Sequence, residues 1–274
     1  MVMSKTKDSF SFRSLRYLFD MDGTLYLDNS PLKGAVELIS LLKAEEIPFK
    51  LVTNNSSESR DRYVERLRVM GFEVGRGQIL TSGVATLEYL RREGISSVYL
   101  LGTPALEEEF ESAGVRLSEK NPQAVVLSFD KTLTYQKLER AHILLRTGIP
   151  YIATHPDLVC PTVDGTIPDC GAFMALLETS TSRKPVVIGK PSPLLVEMAS
   201  DQEDSKDQST MMIGDRLYTD IEMGKNAGIL TGLVLSGEAK REDVESSSTK
   251  PDFIFEGVFE ILDQIQKEKS SDQS

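Results

Sequence analysis

Short apolar runs alternate along the chain with stretches in which apolar positions recur every three or four residues, the two periods that separate strands from amphipathic helices. Arg16–Asp20 (RYLFD) reads as a buried strand ending on an acid. Ser30-Pro31 offers an N-cap and a first-turn proline, after which Ala35, Leu38, Ile39, Leu41 and Leu42 trace a helical face to about Glu46. Phe49–Thr53 (FKLVT) predicts the next strand. A second helix is predicted from about Glu58, with Tyr63, Val64, Leu67 and Met70 on one side and Gly71 as its stop. Further strands are predicted over Ser97–Leu101, Ala124–Phe129, Pro150–Thr154, Pro185–Gly189, Thr210–Asp215, Leu230–Leu235 and Asp252–Phe255. Helices fill most of the intervals, Thr134–Arg146 and Ala172–Thr179 among them. This alternation implies an α/β fold in which parallel sheet is covered by helices on both faces. No repeat of 20–50 residues is visible. Asp201–Ser209 and Glu238–Lys250 read as solvated loops, and the polar residues Lys267–Ser274 as a frayed end.

Composition narrows the classes of function. The chain has 274 residues, 40% of them hydrophobic and 27% charged, as in an ordinary globular protein with a core of its own. Its net charge of −11 argues against a nucleic-acid polymer or an anionic membrane as partner, since both call for basic patches. No apolar run approaches the ~20 residues of a membrane span. Met1–Asp8 lacks the apolar segment of a secretory signal, so the expected location is the cytoplasm. The only two cysteines, Cys160 and Cys170, are expected as idle thiols in a reducing compartment.

Four polar clusters each follow an apolar strand. Asp20 and Asp22 stand two apart, so an extended backbone aims both the same way, at the strand end where open α/β sheets bind ligands. One carboxylate could attack an electrophile while the other handles protons; the same spacing also suits a turn in which aspartates satisfy local backbone groups. Thr53-Asn54-Asn55-Ser56-Ser57 could seat a phosphate on a hydroxyl and backbone N–H groups, or simply cap a helix through Ser56 or Ser57. Lys190 lies between Gly189 and Pro191 and supplies a compact cation, in a setting less ordinary than that of a solvated surface lysine. Asp215 and Asp220, in Gly214–Asp220, offer oxygen ligands of the kind magnesium prefers, Asp220 having the alternative of capping the next helix. His155, beside Asp157, reads either as a substrate contact or as a loop histidine bonded to Asp157; His142 reads as structural.

In order and content these clusters resemble the four motifs of the haloacid dehalogenase superfamily of phosphohydrolases: Asp20-Met21-Asp22-Gly23-Thr24, Thr53-Asn54-Asn55, Lys190, and Gly214-Asp215 to Asp220. The interval between the second and third is similar to the type IIA (C2) cap of the NagD/p-nitrophenylphosphatase branch, as are Phe129 to Tyr135, Ala153 to Asp157 and Ile167 to Gly171 within it. The resemblance implies a Rossmann-like parallel-sheet core from residues 1–82 and 185–274, with an α/β cap inserted over 83–184. It implies Asp20 as nucleophile and metal ligand, and Asp22 as general acid/base with its carbonyl on Mg²⁺. Thr53, Asn54 and Asn55 would grip the phosphoryl group, Lys190 would neutralise charge, and Asp215 would complete the metal site. Asp220 would hold a water on the metal or the Lys190 ammonium from behind.

The expected activity is hydrolysis of small phosphate esters, such as sugar phosphates, nucleotides or p-nitrophenyl phosphate, through an aspartyl-phosphate. Transfer of the phosphoryl group to an alcohol, as in a phosphotransferase or phosphomutase, and a non-catalytic phosphometabolite-binding protein are the rivals. A dehalogenase would leave Asp22 without a leaving oxygen to protonate. Pairing with another copy through the cap is left open.

Overall fold

A computed structural model describes residues 11–162, 164–199 and 209–272. The chain divides into two compact units, one made of Met1–Leu51, Arg66–Gln78 and Asp201–Ser274, the other of Val52–Glu65 and Ile79–Ser200. The second unit contains all of the interval 83–184.

In the first unit the strands lie in the order Phe253–Phe255, Leu230–Val234, Thr210–Gly214, Arg16–Asp20, Phe49–Thr53, the last of them running on into the second unit. The pairings of the first four are parallel. Tyr17, Leu18 and Phe19 are buried, as are Met211, Met212 and Ile213 beside them, which is why these strands are continuously apolar rather than alternating. Tyr17 and Phe19, two apart on one face, stack at 5.4 Å. The helix Ala35–Ala44 buries Ala35, Leu38, Ile39 and Leu42 and packs against the helix Val258–Asp272, whose Ile261 and Ile265 are fully buried.

The second unit has a parallel sheet in the order Val186–Val187, Tyr151–Ala153, Ala124–Leu127, Ser97–Leu101, Arg116–Leu117. Tyr99, Leu101, Val125, Leu127, Tyr151 and Ala153 pack there with Ala141, Leu144 and Leu145 of the helix Tyr135–Leu145 and Leu177 of the helix Cys170–Thr181. Threonine or aspartate starts each of these two helices and the helix Pro104–Ser112. Thr134 accepts from Lys137 N at 3.2 Å, Thr103 from Leu106 N at 3.4 Å ahead of Pro104, and Asp169 from Cys170 N at 2.5 Å. Both units have the parallel-sheet α/β architecture expected from the alternation.

Several local expectations fail, each through a long-range contact. Ser30-Pro31 does not open a helix; it pairs antiparallel with Tyr26–Leu27, and the helix begins only at Ala35. The guanidinium of Arg66 secures that hairpin, donating to Asp28 O and to Asn29 Oδ1 and lying over the Tyr26 ring. Lys267 to Asp272 continues a helix instead of fraying, since Lys269 meets Glu45 at 2.5 Å and Glu268 accepts from Ser11 and from the Phe12 and Arg13 amides. Glu238–Lys250 contains the helix Arg241–Ser246, anchored by buried Val244. The second helix starts at Arg60, and neither Ser56 nor Ser57 caps it; Ser56 Oγ instead accepts from Phe129 N at 3.1 Å and bonds Thr154 Oγ1 at 3.0 Å. Residues 201–208 of the expected polar loop, and Met1–Asp8, lie outside the described residues. No helix among the described residues is long and apolar enough to cross a membrane.

Candidate active site

Register places the acids of the first unit. Phe19 pairs with Ile213 in parallel, so Asp20 and the Gly214-Asp215 step emerge together at the carboxyl ends of neighbouring strands. Asp220 follows on the single π-helical turn Leu217–Ile221. Asp20, Asp215 and Asp220 are 9%, 2% and 0% exposed, and each offers a carboxylate oxygen within 4.8 Å of the others. Asp215 Oδ2 accepts from Glu238 N at 2.7 Å and Asp220 Oδ2 from Arg216 N at 3.1 Å, which fixes both rotamers. Asp215 also lies between two glycines. A β-carbon on Gly23 would fall 2.7 Å from Asp215 Cγ, and one on Gly237 at 2.6 Å. Gly23 has φ +80, so the turn and the close approach both demand glycine.

Asp22 does not share Asp20's burial. Its side chain is exposed, on the tight turn where Gly23 N donates to Tyr26 O at 2.8 Å. Partial enclosure nevertheless raises its carboxyl pKa; Arg66 and Arg216 pull it down, and Asp28 adds to the rise. Arg216, half-buried, is opposed by desolvation, but Asp20 and Asp215, with Tyr218 and Glu238, outweigh this and drive its pKa above the ordinary arginine value. From sequence alone Arg216 had no role assigned; its place inside the fourth motif, directly after Asp215, was the available signal.

The carboxylate set tests the metal expectation. Burying three carboxylates within 4.8 Å of each other is costly unless a cation compensates them or some are protonated. An all-oxygen donor set suits a hard divalent ion such as magnesium. Asp220 belongs to this cluster by position.

The second unit holds the other polar group. Thr53 ends its strand, and Thr53 Oγ1 accepts from Asn55 N at 3.1 Å while Asn55 Oδ1 accepts from Ser57 N at 2.9 Å and Ser57 Oγ at 2.8 Å, so the loop is tied by its own side chains. The side chain of Asn54, 6% exposed, turns away from that loop. It donates to Lys190 O at 2.9 Å and to Asp157 Oδ1 and Oδ2 at 3.2 Å, and accepts from Lys190 N at 2.8 Å. Lys190 is itself 4% exposed.

His155 is fully buried. Its Nε2 lies 2.9 Å from Asp169 Oδ1 and its Nδ1 2.9 Å from Thr154 Oγ1. Both ring nitrogens are thus engaged inside the unit, and the expected partner Asp157 is replaced by Asp169, fourteen residues on. Hydrogen bonds of this kind, with the ring fully enclosed, are what a structural histidine makes. His142 bonds Ser180 Oγ at 3.1 Å. Neither Cys160 nor Cys170 is in a disulfide.

Comparison with known proteins bears on what this arrangement does. Residues 17–116 match the family described as haloacid dehalogenase-like hydrolase, and residues 187–261 a second described as HAD-hydrolase-like. A 4-nitrophenylphosphatase structure from Thermotoga maritima superposes with a TM-score of 0.88 at 47% identity, covering 93% of this chain and 98% of the other. NagD from E. coli K-12 superposes with a TM-score of 0.84 at 31% identity, covering 91% and 98%. An acid sugar phosphatase of Staphylococcus saprophyticus is 33% identical over 253 residues, covering 92% of this chain and 98% of that one.

Proposed function

The chain belongs to the haloacid dehalogenase-like hydrolase family, and on that premise we propose that it is a magnesium-dependent phosphatase of small phosphorylated metabolites, with Asp20 as its nucleophile. The observation that carries the reading is the buried cluster of Asp20, Asp215 and Asp220 at neighbouring strand ends.

An Asp20 carboxylate oxygen attacks phosphorus and the bond from phosphorus to the ester oxygen breaks. Asp22 protonates the departing oxygen, a role that the upward direction of its pKa shift favours. The resulting aspartyl-phosphate is then attacked by water, with Asp22 accepting the water's proton; the bond from phosphorus to Asp20 breaks and inorganic phosphate leaves. The Thr53 hydroxyl and the backbone N–H of Asn54 hold the phosphoryl oxygens, the Asn55 N–H being given to Thr53 Oγ1, and Lys190 offsets their charge. Asp20 and Asp215, with the Asp22 carbonyl and with Asp220 beside them, would hold magnesium, which supplies the positive field that phosphoryl transfer needs and that a chain of net charge −11 otherwise lacks.

Sugar phosphates are the favoured substrate class because curated relatives carry the name acid sugar phosphatase, and the 4-nitrophenylphosphatase relative supports turnover of an artificial aryl ester. In this reading residues 83–184 form the cap that selects substrate and excludes bulk water. The test is phosphate release from p-nitrophenyl phosphate and a panel of sugar phosphates with and without Mg²⁺. Release that requires the ion and vanishes in Asp20→Asn supports the reading; full activity in Asp20→Asn overturns it.

A further inference from the structure

Both ends of the Asn54 side-chain amide are committed to other residues of its own unit. An amide has two N–H donors and one carbonyl. One donor goes to Lys190 O and the other is shared by the two oxygens of Asp157, while Oδ1 accepts from Lys190 N. No donor is left for a phosphoryl oxygen. We propose that Asn54 is a positioning residue for Lys190, clamping both groups of the lysine's peptide backbone across 136 residues of chain, with Asp157 fixing which way the amide faces.

The orientation is dictated by its partners. With the amide turned over, Nδ2 would face the Lys190 N–H, and Oδ1 would face the Asp157 carboxylate and the Lys190 carbonyl, so every contact would become repulsive. The clamp is closely fitted as well. A β-carbon on Gly189 would stand 2.5 Å from Asn54 Oδ1 and 2.6 Å from Thr154 O, so the residue before the lysine has to lack a side chain. Asn54 is anchored in turn, its carbonyl accepting from Ser82 Oγ at 2.5 Å. Burial raises the stakes, because a polar group that loses its partner here has little water to replace it. Lysine carries its charge on a flexible four-carbon stem, so the ammonium is placed only as well as its backbone is held, and a misplacement of about 1 Å can cost ~100-fold in rate.

This inference rests on the reading of Lys190 as the cation that offsets phosphoryl charge, and a double-mutant cycle separates the two. Asn54→Ala, Lys190→Met and the double variant are compared by kcat and KM on p-nitrophenyl phosphate, and by calorimetric affinity for inorganic phosphate in the presence of Mg²⁺, with folding followed by circular dichroism and thermal melting. Asn54→Ala should lower kcat/KM by ~10- to 100-fold, mostly in kcat, and weaken phosphate binding; in the Lys190→Met background it should change phosphate affinity by less than ~2-fold. The near-isosteric Asn54→Asp, whose carboxylate would face that of Asp157, carries the same cycle should Asn54→Ala melt below the assay temperature. An equal loss of affinity in both backgrounds, or full activity in Asn54→Ala, overturns the clamp alone. Wild-type turnover and phosphate affinity in Lys190→Met overturn the reading of the lysine and the clamp with it.

Discussion

Gly23 lies directly against the carboxylate of Asp215, so close that a β-carbon on the glycine would stand 2.7 Å from Asp215 Cγ. Gly23→Ala must therefore displace Asp215, and it also forces alanine into φ +80. The expected outcome is a loss of roughly 1–2 kcal/mol in stability from the backbone strain and a fall of ~100-fold in kcat/KM from the shifted carboxylate. Chemical denaturation and steady-state kinetics on one preparation read both; unchanged kinetics would mean that Asp215 can move without consequence.

Three buried carboxylates within 4.8 Å of one another repel wherever they are ionised, and a bound cation would relieve that repulsion. Added Mg²⁺ should raise the melting temperature of chelator-treated protein. Asp220→Asn should melt higher than the wild type when both are metal-free and gain less from the ion, because one of the repelling charges has gone. Differential scanning calorimetry with and without Mg²⁺ checks this independently of turnover. A metal-free Asp220→Asn that melts lower than the wild type would show that the Asp220 bond to Arg216 N matters more than the repulsion.

The two thiols should differ sharply towards an alkylating reagent. Cys170 is fully buried and its pKa is pushed up to about 12 by desolvation, so at pH 8 almost none of it is thiolate. Cys160 is only partly buried, on the hairpin strand Val159–Thr162. Native protein should take up one equivalent of iodoacetamide, at Cys160 by peptide mapping, and a second only after denaturation.

Glu88 is held between Arg91 at 2.7 Å and Arg92 at 2.9 Å, and the Arg91 bond leads in lowering its pKa to about 2. A carboxylate with a depressed folded-state pKa contributes stability above its unfolded value, about 4.3, and loses it as pH falls towards 2. Glu88→Gln should therefore cost a few tenths to ~1 kcal/mol at pH 7, the range of exposed ion pairs. The difference from the wild type should shrink between pH 5 and pH 2, as read by urea unfolding across that interval.

The strands were legible because a buried parallel strand is a run of apolar residues, and such runs survive in one dimension. Arg16–Asp20, Phe49–Thr53 and Ser97–Leu101 are found at their expected bounds, and most of the others differ by a residue or two at their ends. The short hairpin of Tyr26–Leu27 with Ser30–Pro31 was not legible. Ser-Pro looks locally like a helix start, and the Arg66 contacts that hold the hairpin come from a distant helix.

Sequence by itself therefore determined the α/β class, the acids at strand ends and the order of the four motifs, since each is a matter of local pattern and spacing. Tertiary structure decided which partners those residues have. It drew Asp220 into the cluster with Asp20 and Asp215, gave His155 to Asp169 instead of the nearer Asp157, and turned the Asn54 amide onto the backbone of Lys190. The physical reason is common to all three. A side chain in a closed interior takes whichever rotamer satisfies its polar atoms, and the atoms that do so come from segments that only folding brings within 3 Å or so of one another.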